Sequence, residues 1–247
     1  MPKIDIPLLL KFGEKQHVEA LLNKGNIFMQ RLGHYKDLEK DELQKKIKRA
    51  DKYDGVFERY KSPKVTITVE GQEIELRTGF VDISLDEIMD SYVYCMAGIS
   101  IDRIYDYKAG KIDRLIPKEL EKFGEGCAVI TDTADFVKKF KNTFPVEYLN
   151  FIEYIDLENT NGRIGPFKKD LAFKEQLEFR FIMKNEEGNK GHLTKEIGAL
   201  SGAFCTDSYE IETTLTKKLI GRVKTTDGKE KEMDFIDFLI ARYEETL

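Results

Sequence analysis

The chain has 247 residues, of which 41% are hydrophobic and 11% aromatic, so it can bury a sizeable core and is not expected to be disordered. A formal net charge of −5, with 34% charged residues, argues against a general polyanion binder but leaves room for a local basic patch. The three cysteines are dispersed and form no CxxC pair, and no apolar run reaches the length of a signal peptide or membrane span. We therefore expect a cytoplasmic protein with no membrane partner.

The N-terminal part predicts a strand, a helix and a second strand. Residues 4–12 form the first strand, in which Pro7 indicates an edge or partly paired position. Residues 13–25 place apolar side chains on one helical face and end at Gly25, a natural helix stop. Residues 26–30 give the second strand.

The next elements are predicted from charge and alternation. The highly charged residues 36–52 suit a short exposed helix. Residues 64–79 alternate on either side of "EGQ" and predict a β-hairpin. Residues 91–100 read as a buried strand, and residues 127–132 as a strand that leads into a helix with Asp132 among its candidate caps.

The remaining elements are shorter. Residues 146–158 predict a strand and residues 159–167 a loop. A hairpin is predicted around Asp227-Gly228, and an amphipathic helix capped by Asp234 closes the chain. Short strands alternating with scattered helices predict a single α+β domain over residues 1–247.

Several common sites are not indicated. The sequence has no P-loop motif, and "FGEGCAV" lacks the rest of a dinucleotide fingerprint. The three histidines, which are His17, His34 and His192, fit no metal-ligand spacing, so we expect no metal site.

The stretch "FKEQLEFRF", residues 173–181, alternates in its last six residues. As a strand it places Gln176, Glu178 and Arg180 on one face and three apolar side chains on the other. The polar row is either a solvated surface or the floor of an active site. Arg180 is best interpreted as a structural partner of a neighbouring acid.

The order of these elements resembles the ADP-ribosyltransferase superfamily. The likeness rests on a first strand ending in "LLLKFG", a short helix that leads to a glycine, and a late strand with a Q-x-E step. Within that superfamily the chain is most similar to DarT-like bacterial toxins of toxin–antitoxin and phage-defence systems. The resemblance implies a mixed or split antiparallel sheet, with a core over residues 1–185 and an extension over residues 186–247 that completes the fold.

The resemblance also implies a reaction and its residues. The substrate is NAD, and Glu178 stabilises the positive charge that develops on ribose when the nicotinamide bond breaks. Gln176, about 6.5–7 Å away along a strand, orients the acceptor. Lys11, followed by Phe12 and Gly13, holds the cofactor at a position where histidine or arginine is usual.

Further cofactor contacts are assigned by chemistry. Arg49 is the candidate for a phosphate contact, because a guanidinium matches phosphate geometry. Tyr35 or Tyr53 could stack on nicotinamide or adenine. Ser100 is the nearest candidate for the Ser-Thr-Ser step of the superfamily. Alanine at Glu178 is expected to abolish NAD turnover with little change in stability.

The acceptor and partners are inferred from charge and from the resemblance. Basic stretches at residues 44–49 and 137–142, with aromatic residues near the first, favour nucleic acid as acceptor over a protein side chain. A toxin of this type implies an antitoxin partner. Two alternatives remain open: a non-enzymatic interaction module of a defence system or phage, and a metal-dependent nuclease built from Asp51, Asp54 and Glu58.

Overall fold

The computed structural model describes residues 6–47, 50–62, 65–76, 79–186, 188–224 and 230–244. Its strands are β1 (Leu8–Gly13), β2 (Asn26–Arg31), β3 (Val56–Lys61), β4 (Val65–Val69), β5 (Gln72–Leu76), β6 (Phe80–Ser84), β7 (Tyr92–Ile99), β8 (Gly126–Ile130), β9 (Val146–Phe151), β10 (Glu153–Ile155), β11 (Gly162–Arg163), β12 (Lys168–Asp170), β13 (Glu178–Met183), β14 (Leu193–Glu196), β15 (Ala203–Asp207), β16 (Ile220–Lys224) and β17 (Glu230–Asp234).

The helices are α1 (Lys15–Lys24), α2 (Leu32–Asp37), α3 (Glu42–Lys46), α4 (Asp86–Asp90), α5 (Ile101–Lys108), α6 (Thr133–Thr143), α7 (Ile211–Thr213) and α8 (Phe235–Glu244). Short 3-10 helices cover Leu38–Lys40, Lys118–Phe123 and Leu171–Gln176, and a π-helical turn covers Thr214–Lys218.

An eight-stranded antiparallel sheet organises the fold, and it branches at β7. Strands β13 and then β9 lie on one side of β7. On the other side, β1 pairs with residues 97–99 and β2 with residues 92–93. Strands β8 and β15 continue from β1, and β14 continues from β2. The expected α+β class with an antiparallel sheet is confirmed.

We call the gap between β1 and β2 along β7 the sheet fork. Strand β1 pairs with β7 only over Leu8–Leu10, although it continues beside β8 as far as Gly13. Residues 94–96 of β7 therefore pair with neither β1 nor β2, and they border the gap between these two strands. The Lys11 ammonium crosses this space and donates to the carbonyl of Cys95 at 2.7 Å.

Each face of the sheet carries its own apolar core. Helices α1 and α6 cover one face, where Leu9, Phe140 and Phe181 belong to the same buried cluster. Helices α5 and α8 cover the other face, around Leu10 and Ile99. Alternation along the strands produces this division, because neighbouring residues point to opposite faces.

Smaller sheets surround this body. Strands β11, β3 and β6 form a three-stranded sheet, and β10 pairs with β12 in parallel. The pairs β4–β5 and β16–β17 are hairpins. The predicted 64–79 hairpin is confirmed, whereas the turn predicted at Asp227-Gly228 lies outside the described residues.

Most predicted elements are present, with changed boundaries. The strand–helix–strand opening is confirmed, and Gly25 ends α1 in the left-handed conformation at φ 66°. The Asp132 carboxylate caps α6 by accepting from the backbone N–H of Asp135. Of the two positions predicted for the first strand, edge or partly paired, the second is confirmed: β1 follows Pro7 and lies between β7 and β8, but it pairs with β7 only over Leu8–Leu10. The 159–167 loop contains the short strand β11.

Gly25 offers a direct test of the packing of α1. Its φ is positive, and a Cβ there would overlap the carbonyl oxygen of Gly198. Gly25→Ala is expected to lower the free energy of unfolding by about 2–5 kcal/mol, from backbone strain and overlap together. Gly110 has nearly the same φ, 68°, in open space. Gly110→Ala is the matched control and should cost only about 1–2 kcal/mol in urea unfolding.

Candidate functional site

The polar row of β13 is buried rather than solvated. Glu178 is 5% exposed and Arg180 is 1% exposed. Their β7 partners in the sheet are Ala97 and Cys95, respectively. The intervening Phe179 packs into the core on the opposite face, so the predicted division of the two faces is confirmed.

Both carboxylate oxygens of Glu178 are held by cations. Oε1 accepts from the Arg180 Nε–H at 2.8 Å, and Oε2 accepts from the Lys169 ammonium at 2.7 Å. The backbone N–H of Glu178 donates to the Tyr154 hydroxyl at 2.8 Å. The carboxylate is therefore fixed in position before any ligand arrives.

Asp54 completes a buried cluster of alternating charge. Its Oδ1 lies 3.0 Å from Arg180 Nη2, and its Oδ2 lies 3.6 Å from Lys169 Nζ. We call Asp54, Lys169, Glu178 and Arg180 the charge cluster. The expectation that Arg180 pairs with a neighbouring acid is confirmed twice over, by Asp54 and Glu178.

Gln176 does not share a strand with Glu178, so the predicted arrangement of the pair is wrong. Gln176 ends a 3-10 helix, and Leu177 follows in the left-handed conformation with φ 47°. Regular strand geometry begins only at Glu178. The two side chains nevertheless meet, because the Lys169 ammonium donates to Gln176 Oε1 at 3.2 Å as well as to Glu178.

A cavity of about 150 Å³ opens beside the charge cluster at the sheet fork. Its walls combine the ends of β1, the middle of β7 and the start of β13. It is lined by Leu10, Lys11, Phe12, Tyr35, Asp54, Cys95, Met96, Ala97, Leu120, Phe123, Lys169, Gln176, Glu178 and Arg180. A cavity of this size accommodates about one six-membered ring.

Three of the residues predicted to hold a cofactor line this cavity, namely Lys11, Phe12 and Tyr35. Gly13, Tyr53 and Ser100 are not among its lining residues, and Arg49 lies outside the described residues.

The predicted residues that lie away from the cavity have structural partners. The Ser100 hydroxyl caps α5 by accepting from the Arg103 backbone N–H. The Tyr53 ring packs beside Val56 and contacts the Arg59 guanidinium at 4.6 Å from the ring centroid. The cofactor roles of these two residues stay predictions.

The charges in the cluster set the protonation of Glu178. Burial alone would raise the pKa of this carboxyl, but Arg180 and Lys169 outweigh burial and hold the pKa well below its usual range. Burial would likewise lower the pKa of Lys169, and the charges of Asp54 and Glu178 raise it instead. At neutral pH the site therefore presents a fixed anion, not a proton donor.

The neutral groups around the site stay neutral. Burial raises the pKa of the Cys95 thiol to about 12, with a further contribution from Glu178. Burial also raises the pKa of the Tyr35 hydroxyl well above its usual range. Cys95 is therefore not a thiolate nucleophile at neutral pH.

The three acids of the nuclease alternative do not converge as that alternative requires. Asp54 is occupied by two cations, while Glu58 accepts from the Tyr60 hydroxyl at 2.8 Å. Among the residues that the structure describes, no group of three or more histidine, cysteine or acidic side chains is arranged to hold a metal ion.

The sequence did not indicate Lys169. It lies in "KKD", directly after a segment that contains glycine and proline, where no periodic pattern singles out a residue. The sequence indicates Asp54 only as a candidate metal ligand. Phe123 and Tyr154 were also not singled out, because aromatic residues are frequent in this chain.

Comparisons with known proteins identify no relative: no family model, no curated protein and no solved structure matches the chain. Within the described ranges, none of the helices has the length and apolarity needed to cross a bilayer.

Asp51, beside the charge cluster, provides a test of its electrostatics. It is 1% exposed, and its Oδ2 has no hydrogen-bond partner among the described residues. Burial first, and then the Asp54 charge, raise the pKa of Asp51 to about 6. An acid whose pKa is higher in the folded state stabilises the folded protein most at pH values below its unfolded-state pKa. This stabilisation is lost as the pH rises through the folded-state pKa.

Asp51→Asn removes this titration while its Oδ1 can still accept from the Tyr53 backbone N–H. Relative to wild type, the variant is expected to gain about 1–3 kcal/mol of unfolding free energy at about pH 7.5 and little at about pH 4. Urea unfolding of both proteins at the two pH values measures the difference. An equal effect at both values would contradict the assigned pKa shift.

Proposed function

We propose that the chain is an NAD-dependent ADP-ribosyltransferase whose cavity at the sheet fork receives one ring of the nicotinamide–ribose end of NAD. The observation that carries this proposal is the Glu178 carboxylate, held ionised and immobile by Lys169 and Arg180 at the wall of the cavity. The forked antiparallel sheet supports an ADP-ribosyltransferase-like fold.

The chemistry of the transfer matches a fixed anion. Breaking the bond between nicotinamide and ribose leaves positive charge on the sugar, and a preorganised carboxylate next to that carbon stabilises it. A carboxylate offers about four acceptor positions, so the contacts to Lys169 and Arg180 leave capacity for a ribose hydroxyl. Because Glu178 remains ionised, its role is charge stabilisation and hydroxyl binding, not proton donation.

The size of the cavity limits which part of NAD it can enclose. At about 150 Å³ it is smaller than the roughly 300–1,000 Å³ of sites that enclose a whole drug-sized ligand. One ring, nicotinamide or ribose, can enter beside Phe12, Tyr35 and Phe123. The adenosine half would then lie outside the cavity.

The test is release of nicotinamide from NAD, followed by chromatography with and without oligonucleotides. Glu178→Gln should reduce the release rate by about 100-fold or more, because the variant lacks the stabilising charge. Glu147→Gln, at an exposed position of β9, is the matched control and should match wild type. No release by wild type, or undiminished release by folded Glu178→Gln, would reject the proposal.

The stability of the Glu178 variants must be measured alongside. The original expectation of unchanged stability does not fit a carboxylate that joins two buried cations. Removing one partner of a buried ion pair costs about 3–5 kcal/mol. Circular dichroism and urea unfolding therefore accompany each activity measurement, and rates are compared only between folded proteins.

We further propose nucleic acid as the acceptor, because one basic stretch borders the site. Ile47 lines a second, small cavity together with Phe123 and Gln176, which also line the main cavity. The adjoining Lys45 and Lys46 on α3 are exposed. The stretch at 137–142 lies on α6, which covers the opposite face of the sheet, and it does not border the site.

The basic residues of α3 and those of α6 give a matched electrostatic test. The double variant Lys45→Glu/Lys46→Glu should weaken oligonucleotide binding and reduce the slope of log affinity against log salt by about 2, while NAD hydrolysis persists. Lys138→Glu on α6 is the control and should leave both quantities unchanged. Equal weakening by the control would contradict an acceptor path along α3.

By the same resemblance we propose a cytoplasmic role in a bacterial toxin–antitoxin or phage-defence system, with an antitoxin protein as partner. Co-purification of the chain with the product of a neighbouring gene, and suppression of its NAD consumption by that product, tests this role.

A further inference from the structure

We propose that Lys169 is a positioning residue, which holds the side chains of Gln176 and Glu178 together at the wall of the cavity. This inference rests on the proposed function for its effect on the reaction. Its geometric part is independent of that function.

The first support is the number and direction of the lysine contacts. An ammonium group has three N–H donors. Lys169 Nζ lies 2.7 Å from Glu178 Oε2, 3.2 Å from Gln176 Oε1 and 3.6 Å from Asp54 Oδ2. The side chain is 6% exposed, so water has little access to these contacts. One buried cation thus donates hydrogen bonds to Glu178 and Gln176 and forms an ion pair with Asp54, which comes from a separate segment.

The second support is the origin of Lys169 outside the main sheet. It lies on β12, which pairs with β10 in a separate two-stranded sheet. Its ammonium reaches the start of β13 from there. Two side chains of the small sheet therefore reach Glu178: the Lys169 ammonium donates to its carboxylate, and the Tyr154 hydroxyl on β10 accepts from its backbone N–H.

The third support is the backbone between Gln176 and Glu178. A regular strand would direct both side chains to the same face. Leu177 interrupts the strand with φ 47°, a conformation that costs a non-glycine residue about 1–2 kcal/mol. The backbone between Gln176 and Glu178 therefore does not place their side chains in the way that a regular strand would. The contact that both side chains make with Lys169 joins them instead.

Lys169 is not a nucleophile in this arrangement. Asp54 and Glu178 hold it in the charged form, and a charged ammonium has no lone pair with which to attack a carbon atom. Its contribution is the position and the ionisation of its neighbours.

Loss of the lysine charge has a definite consequence for Glu178. The charged and titratable groups around this carboxyl are Cys95 on β7, Tyr154 on β10, Lys169 on β12, Arg180 on β13, Tyr35 on α2, Asp54 before β3 and, in the same cavity lining, Lys11 on β1. Asp51 interacts with the two cations Lys169 and Arg180. Without Lys169, Arg180 is the one cation left in the charge cluster, while the Lys11 ammonium of the cavity lining donates to the Cys95 carbonyl. Burial then raises the pKa of Glu178, and its carboxylate is lost as pH falls through the new value.

The experiment compares Lys169→Met, Lys169→Arg and Lys168→Met. Carbon-13 NMR of glutamate-labelled protein follows the Glu178 carboxyl, assigned by its absence in Glu178→Gln. In wild type the signal should not titrate between about pH 4 and pH 8, and in Lys169→Met a midpoint should appear in that range. Lys168, which pairs with exposed Glu153, is the matched control and should leave the signal unchanged.

The kinetic readout is the pH profile of nicotinamide release. For Lys169→Met, kcat should fall by about 10–100-fold and decline further as pH is lowered, with a smaller change in KM. Lys169→Arg keeps the charge and should restore the flat profile in part. A purely structural lysine would lower the amount of folded protein without changing the pH profile.

Folding and function are separated by design. If Lys169→Met does not fold, the single variant Asp54→Asn is compared with the double variant Asp54→Asn/Lys169→Met. Both of these proteins bury fewer charges than wild type. An unshifted Glu178 titration in the folded variant overturns the proposal. If wild type releases no nicotinamide, the proposed function fails, while the NMR titration still decides whether Lys169 positions Glu178.

Discussion

The fold depends on a buried cluster of alternating charge, in which Asp54 and Glu178 each contact both Lys169 and Arg180. Two anions and two cations cancel, so the cluster avoids the large cost of one unpaired buried charge. Such clusters contribute little net stability compared with apolar residues of equal volume, but they permit few alternative arrangements. This cluster therefore fixes a geometry, and it joins the segment before β3, strand β12 and strand β13.

The sheet fork explains why a cavity lies beside that cluster. Strand β7 pairs with β13 along its length, while β1 and β2 share its other edge and separate near Cys95. The space between them has strand backbone on two sides and the cluster at one end. Lys11 partly replaces the missing strand pairing by binding the Cys95 carbonyl. A carboxylate at a fixed position next to a cavity is the arrangement that the proposed stabilisation of a cationic sugar requires.

The sequence predicted those parts that follow from local pattern. Alternation predicted the two faces of β13 and the hairpin at 64–79. The dense aromatic and small residues of 91–100 predicted the buried β7, and Gly25 and Asp132 marked helix ends. It did not predict the contact of Lys169 with Glu178, because that contact joins two sheets. It also did not predict the break at Leu177, since leucine has no preference for positive φ. The sequence correctly predicted that Arg180 pairs with an acidic side chain. It did not identify Asp54, which lies 126 positions away, as that partner.

The outer strands of the sheet have a consequence for biosynthesis. Strand β14 covers β2 and strand β15 covers β8, and both come from the last quarter of the chain. Until a ribosome has released residues 193–207, the growing chain exposes unpaired backbone at two edges of the sheet, along β2 and along β8. Exposed borders of this kind recruit other strands and promote aggregation. Chaperone capture and premature termination should therefore weigh most heavily on this late stage of synthesis.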